Sequence, residues 1–83
     1  MHDPLQDIME ERARQDNKWG QQNHDDLYWL GILVEEVGEL AQAIISAPER
    51  QVDAKRELVQ VGAVALAWLE CMTLFDKDEQ SLQ

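Results

Sequence analysis

A chain of 83 residues is one domain, and at that length it buries only about 60–65% of its unfolded surface, so its core is expected to be shared with another copy. Seventeen acidic residues against seven basic ones leave a formal net charge of −10, which argues against a nucleic-acid duplex or an anionic membrane as partner. Cys71 is the only cysteine and the two histidines are far apart, which excludes an intrachain disulfide and a zinc site and suits a reducing, cytoplasmic setting.

The chain opens on Met-His-Asp-Pro, without the basic region and apolar stretch of a secretory leader. A first helix is predicted from about Asp3 to Asn17. Asp3 suits the N-cap, and Pro4 suits the first helical position, where no amide donor is needed. Leu5, Ile8, Met9 and Ala13 make a thin apolar stripe, with Glu10, Glu11, Arg12 and Arg14 read as the exposed face. Gly20 breaks the pattern, and Gln21 to His24 read as a polar loop.

A second helix is predicted from Asp25 or Asp26 to Ser46. Leu30, Leu33, Val37, Leu40, Ala41 and Ile44 recur at helical spacing, and the acidic start complements the helix dipole. Pro48 disfavours helical geometry at Ala47 and so ends the element.

A third helix follows from Pro48 or Glu49 to about Phe75, with residues 76–83 expected to fray. From Leu58 to Leu69 it is apolar on almost every side, Gln60 being the one polar side chain. The unbroken run Val61 to Leu69 is well short of the roughly 20 residues of a membrane span. A helix apolar all round must be covered all round. The expected architecture is therefore all-α: a helical hairpin with a short leading helix, completed into a four-helix-type bundle by a homodimer or a tetramer of dimers.

The chemistry is concentrated in Glu35-Glu36-Val37-Gly38-Glu39 and in Glu57 with Gln60. Positions three apart share a helix face, so Glu36 points with Glu39, and Glu57 with Gln60. An antiparallel hairpin across the Pro48 turn brings both pairs to one place. Two carboxylates about 4 Å apart near a surface repel by roughly 4 kcal/mol at an effective dielectric near 20. A divalent cation removes that cost, and all-oxygen ligands select magnesium, or manganese, over zinc. Magnesium held by few carboxylates keeps positions open for water and phosphate oxygens, which makes hydrolysis of a phosphoanhydride the natural reaction. The bland alternative is that these glutamates merely face water on a helical oligomerisation module. Gly38, mid-helix, costs up to about 1 kcal/mol relative to Ala, so a close approach is expected there.

The string Glu35 to Leu40, followed by Glu57-Leu58-Val59-Gln60, resembles the MazG-like family of all-α nucleoside triphosphate pyrophosphohydrolases. That family carries Glu-Glu-x-x-Glu on one helix and Glu-x-x-Asp on the next. The segment Glu11-Arg12 through Lys18-Trp19-Gly20 to His24 is similar to the stretch that precedes this motif in short members, so the resemblance runs from about Glu10 to Glu70. It implies magnesium-dependent hydrolysis of a nucleoside triphosphate, often a deoxynucleotide, to the monophosphate and pyrophosphate. By carry-over Glu36, Glu39 and Glu57 are the metal ligands, and Glu35 orients or deprotonates the attacking water. Gln60 departs from the family's Asp: its amide oxygen can ligate magnesium, but without charge.

Other residues have two readings each. Lys18 reaches a phosphate oxygen and Trp19 stacks on a base, or Trp19 plugs the core and Lys18 is solvated. His24 approaches phosphate or base, or serves the turn. Trp29 walls the nucleotide pocket or packs a dimer, and Trp68 fills a subunit interface or lines the pocket. Lys55, beside Glu57, contacts the polyphosphate or is an ordinary surface charge. Without a glycine-rich phosphate loop, P-loop chemistry is excluded.

Overall fold

Asp3 opens the first helix: its side chain accepts from the Leu5 backbone N–H at 3.0 Å, and Pro4 occupies the first turn. The computed structural model describes residues 3–81, with side chains as far as Leu74. Three helices account for the regular structure of the described residues: α1 (Pro4–Trp19), α2 (Asp26–Ser46) and α3 (Gln51–Ser81). Among the described residues there is no strand, so the all-α expectation holds.

Gly20 closes α1 with φ 72, a backbone region open to glycine and strained for a larger residue. Asp25 caps α2 by accepting from the Tyr28 N–H at 2.8 Å. Ala47 ends α2, and the Arg50 N–H donates to the Ala47 carbonyl across the turn at 2.9 Å. The helix that follows runs past Phe75 to Ser81, longer than expected; beyond Gly62 no Gly or Pro interrupts it. Leu82 and Gln83, the end of the segment expected to fray, lie outside the described residues.

The central element is α3. Helices α1 and α2 each pack on it, and among the described residues not on each other. Trp29, Val64 and Cys71 form the core, with Ile32, Leu33, Ala67 and Trp68 packed around them. At the far end of the hairpin, Trp68 Nε1 donates to Asp26 Oδ1 at 2.9 Å and the Cys71 thiol donates to the His24 carbonyl at 3.7 Å. Trp68 thus ties α3 to the start of α2.

Two expectations about faces change. The residues of α2 divide between two adjoining sides, both largely apolar. Trp29, Ile32, Leu33, Glu36, Leu40 and Ala43 turn inward, whereas Leu27, Leu30, Val34, Val37, Ala41 and Ile44 are exposed. The outward set recurs every seven residues (27, 34, 41 and 30, 37, 44), the period of a helix–helix seam. On α1 the expected stripe is mostly outside: Leu5, Met9 and Ala13 are exposed, and Ile8 shares the inner face with Glu11, Arg12 and Gln15.

The stretch Gln51–Leu74 is, by length and composition, long and apolar enough to cross a bilayer. Both other helices pack on it, yet most of its apolar surface stays at least partly exposed, with Val52, Leu58 and Leu69 exposed outright.

The close approach expected at Gly38 is made elsewhere. A Cβ on Gly38 would meet nothing within 4 Å, whereas one on Gly62 would lie 2.8 Å from Ile8 Cδ1, where α1 crosses α3. Gly38→Ala should therefore stabilise the chain by up to about 1 kcal/mol, a rise of roughly 4–8 °C in melting temperature. A fall instead would place another chain against α2 at that point.

Candidate metal centre

Glu39 stands seven residues before the end of α2 at Ser46, and Glu57 six residues after the start of α3 at Gln51. Folding the hairpin at Ala47–Arg50 therefore sets them level, and Glu36, one turn back, faces the same way. Glu36, Glu39 and Glu57 each offer a carboxylate oxygen, and these oxygens all lie within 4.8 Å of one another. Magnesium–oxygen bonds of about 2.1 Å span at most about 4.2 Å across an ion, so modest side-chain movement closes the set.

Glu36 is under the greatest electrostatic stress. Its Oε2 is buried and has no hydrogen-bond partner. Burial, then the charges of Glu39, Glu57 and Glu35, push its pKa above the usual carboxylate range. Among the described residues no Lys or Arg pairs with any of the three glutamates. Every charged residue of α2 is acidic (Asp26, Glu35, Glu36, Glu39), so the hairpin supplies no neutralising charge from that side. A buried, unpartnered carboxylate oxygen inside a ring of like charge fits a hard divalent cation.

A cavity of about 250 Å³ opens beside Glu36. Trp19, Trp29, Ile32, Val64 and Ala67 give it apolar walls, and Arg12, Arg14, Gln15, Gln60 and Glu70 stand among its polar lining. Trp29 is 4% exposed and its indole Nε1 lacks a partner. The volume of the cavity lies just below the 300–1,000 Å³ of most ligand sites, room for the organic part of a small ligand and not for a long polyphosphate tail.

Several expected residues thus come together: Glu36, Glu39 and Glu57 in the acidic cluster, and Trp19, Trp29, Glu36 and Gln60 around the cavity. Others stand apart. Glu35 is exposed and acts on Glu36 through its charge. Lys18 lies over the Trp19 ring, 4.6 Å from its centroid, and does not line the cavity. His24 stacks on Tyr28 at 4.2 Å, meets Trp29 edge-on at 5.2 Å and is hydrogen-bonded to Gln22 at 3.1 Å, a turn-holding role. Lys55 is exposed on α3 and also lies away from the cavity.

Sequence reading misses Arg12, Arg14 and Gln15, because the apolar stripe of α1 points to the wrong inner face. The available signal is the spacing of Ile8, Glu11, Arg12 and Gln15, which share one side of the helix. Arg12 Nε donates to Glu70 at 2.9 Å and Nη2 to Asp16 at 3.0 Å, so its guanidinium is already engaged and its pKa is raised; burial opposes that rise, and Glu70 then Asp16 outweigh it.

Comparison with protein-family models, with curated proteins and with solved structures gives no match to this chain.

Proposed function

We propose that the protein is a MazG-like, magnesium-dependent pyrophosphohydrolase that cleaves nucleoside triphosphates, deoxynucleotides included, at the α–β linkage. The observation that carries the reading is the buried, unpartnered Glu36 oxygen within the Glu36–Glu39–Glu57 cluster, at the edge of a cavity walled by two indoles. Glu36, Glu39 and Glu57 hold magnesium (or manganese). Bound there, the ion supplies charge neutralisation and an activated water for attack on phosphorus. Glu35, alongside, orients that water. Trp19 and Trp29 take the base and sugar, leaving the phosphates over the acidic cluster. The cation also explains how a chain of net charge −10 accepts a polyanion.

The outward stripe of α2 and the exposed Val52, Leu58 and Leu69 of α3 support a second copy as partner, in a dimer or a dimer of dimers within the cytoplasm. A non-catalytic helical oligomerisation module is the second reading, favoured by the same exposed stripe. The deciding experiment incubates the protein with common nucleotides and magnesium and reads pyrophosphate and orthophosphate separately. One pyrophosphate per monophosphate is expected; orthophosphate alone, or no product, contradicts the proposal.

The unpartnered Trp29 donor gives a second check. An indole N–H left unsatisfied in the free protein is available to a ligand acceptor. Trp29→Phe should lower the melting temperature by only a few degrees, because loss of the unsatisfied donor offsets part of the cavity it leaves, while raising KM roughly tenfold, the loss of about 1.4 kcal/mol of binding. An unchanged KM would remove Trp29 from the site.

A further inference from the structure

Helix α1 is held on α3 by a polar seat. Apart from Ile8 against Gly62, its inner face is Glu11, Arg12 and Gln15. The Glu11 carboxylate accepts from Arg14 Nε at 2.9 Å, Arg14 Nη2 at 2.6 Å and Gln15 Nε2 at 3.1 Å. Arg14 is the main reason its pKa is lowered, and a hydrogen bond from Gln60 adds to it. Gln15 Nε2 also donates to Gln60 Oε1 at 3.3 Å. The Gln60 amide oxygen, the atom that could ligate a cation, is therefore already taken by an α1 donor, and the amide lies beside the Glu11 carboxylate. An ionised Asp or Glu has acceptors only, and would set a second carboxylate against Glu11.

This bears on Gln60 as an expected metal ligand, at the position where the family resemblance puts an Asp. Resting on the function proposed above, we propose that Gln60 is a positioning residue and not a metal ligand: its amide locks α1 in place so that Arg12 and Trp19 complete the nucleotide cavity, while three carboxylates alone hold the cation. The side chain one turn after Glu57 has its oxygen engaged by Gln15 of the neighbouring helix.

The test compares the parent chain with Gln60→Asp and with the double variant Glu11→Gln/Gln60→Asp, which exchanges the donor and acceptor ends of the contact. Magnesium titration by calorimetry, KM and kcat with nucleotide, and melting temperature are read for each. For Gln60→Asp, magnesium affinity should stay within about twofold, KM should rise about tenfold with kcat changed less than threefold, and the melting temperature should fall by several degrees. The double variant should recover most of the loss in KM and melting temperature, because the amide introduced on α1 can donate to the carboxylate introduced on α3. Magnesium binding tightened tenfold or more in Gln60→Asp would overturn the proposal, as would a double variant no better than the single one. If the parent hydrolyses no nucleotide, the functional reading fails, and the seat is still decided by whether the second substitution restores the melting temperature.

Discussion

Glu36→Gln should abolish magnesium-dependent pyrophosphate release, by about a thousandfold or more, and leave the metal-free chain at least as stable as the parent. The two effects have one origin. Glu36 places a buried, unpartnered oxygen among the charges of Glu39, Glu57 and Glu35, so its ionised form is held at a cost that only a cation relieves. An amide removes the charge and offers N–H donors to the neighbouring carboxylates, turning repulsion into hydrogen bonding. The same change withdraws a charged ligand. Metal ions contribute several kcal/mol to the stabilisation of such transition states, and about 4 kcal/mol corresponds to a thousandfold in rate. Glu39→Ala should lose activity similarly. Steady-state assays with excess magnesium, paired with thermal melts in chelator, check both halves. Retained activity in either variant would leave only a helical scaffold.

Magnesium itself should raise the melting temperature by roughly 10–20 °C when present at a hundred times its dissociation constant. Binding confined to the folded state stabilises it by about 2.7 kcal/mol at that excess, and each kcal/mol is worth about 4–8 °C in a domain of this size. Potassium at equal ionic strength should not reproduce the shift. The pKa of Glu36 is raised above 4.5, so its contribution to stability is complete below 4.5 and is lost as pH rises through the higher folded value. Acidifying from neutral toward 4.5 should therefore raise the melting temperature in chelator. The pKa of Glu11 is lowered, and its contribution is lost only below 4.5. With magnesium bound, acidification should instead lower the melting temperature, because protons then compete with the ion. A flat response to magnesium would exclude the cluster as a metal site.

The helices were legible where local chemistry punctuates the chain: Asp3 and Pro4 at one start, Asp25 at another, Gly20 at a C-cap and Pro48 in the turn. The convergence of Glu36, Glu39 and Glu57 was legible because a three-residue spacing and a short turn leave an antiparallel hairpin little choice. Periodicity failed where a helix is apolar on more than one side. In α2 it could not tell the inward Leu33 and Leu40 from the outward Val37 and Ile44, since both sets recur at helical spacing. In α1 it chose Leu5 and Met9 over a buried side made largely of Glu11, Arg12 and Gln15, whose satisfaction depends on partners distant in sequence such as Gln60 and Glu70. Gly38 and Gly62 are indistinguishable by propensity; only the path of Ile8 shows which one a neighbour crowds.

Because α1 and α2 meet only through α3, the two halves of the proposed chemistry have separate owners. The hairpin alone carries Glu36, Glu39 and Glu57, so the proposed capacity to capture a cation survives any change confined to the leading helix. What the leading helix adds is one wall of the chamber: its residues Arg12, Gln15 and Trp19 border it together with Trp29 and Ile32 of α2 and Val64 and Ala67 of α3. A lineage could thus retune the preferred base by rewriting one wall of the chamber, a single sixteen-residue segment, with the proposed hydrolytic apparatus left as it stands.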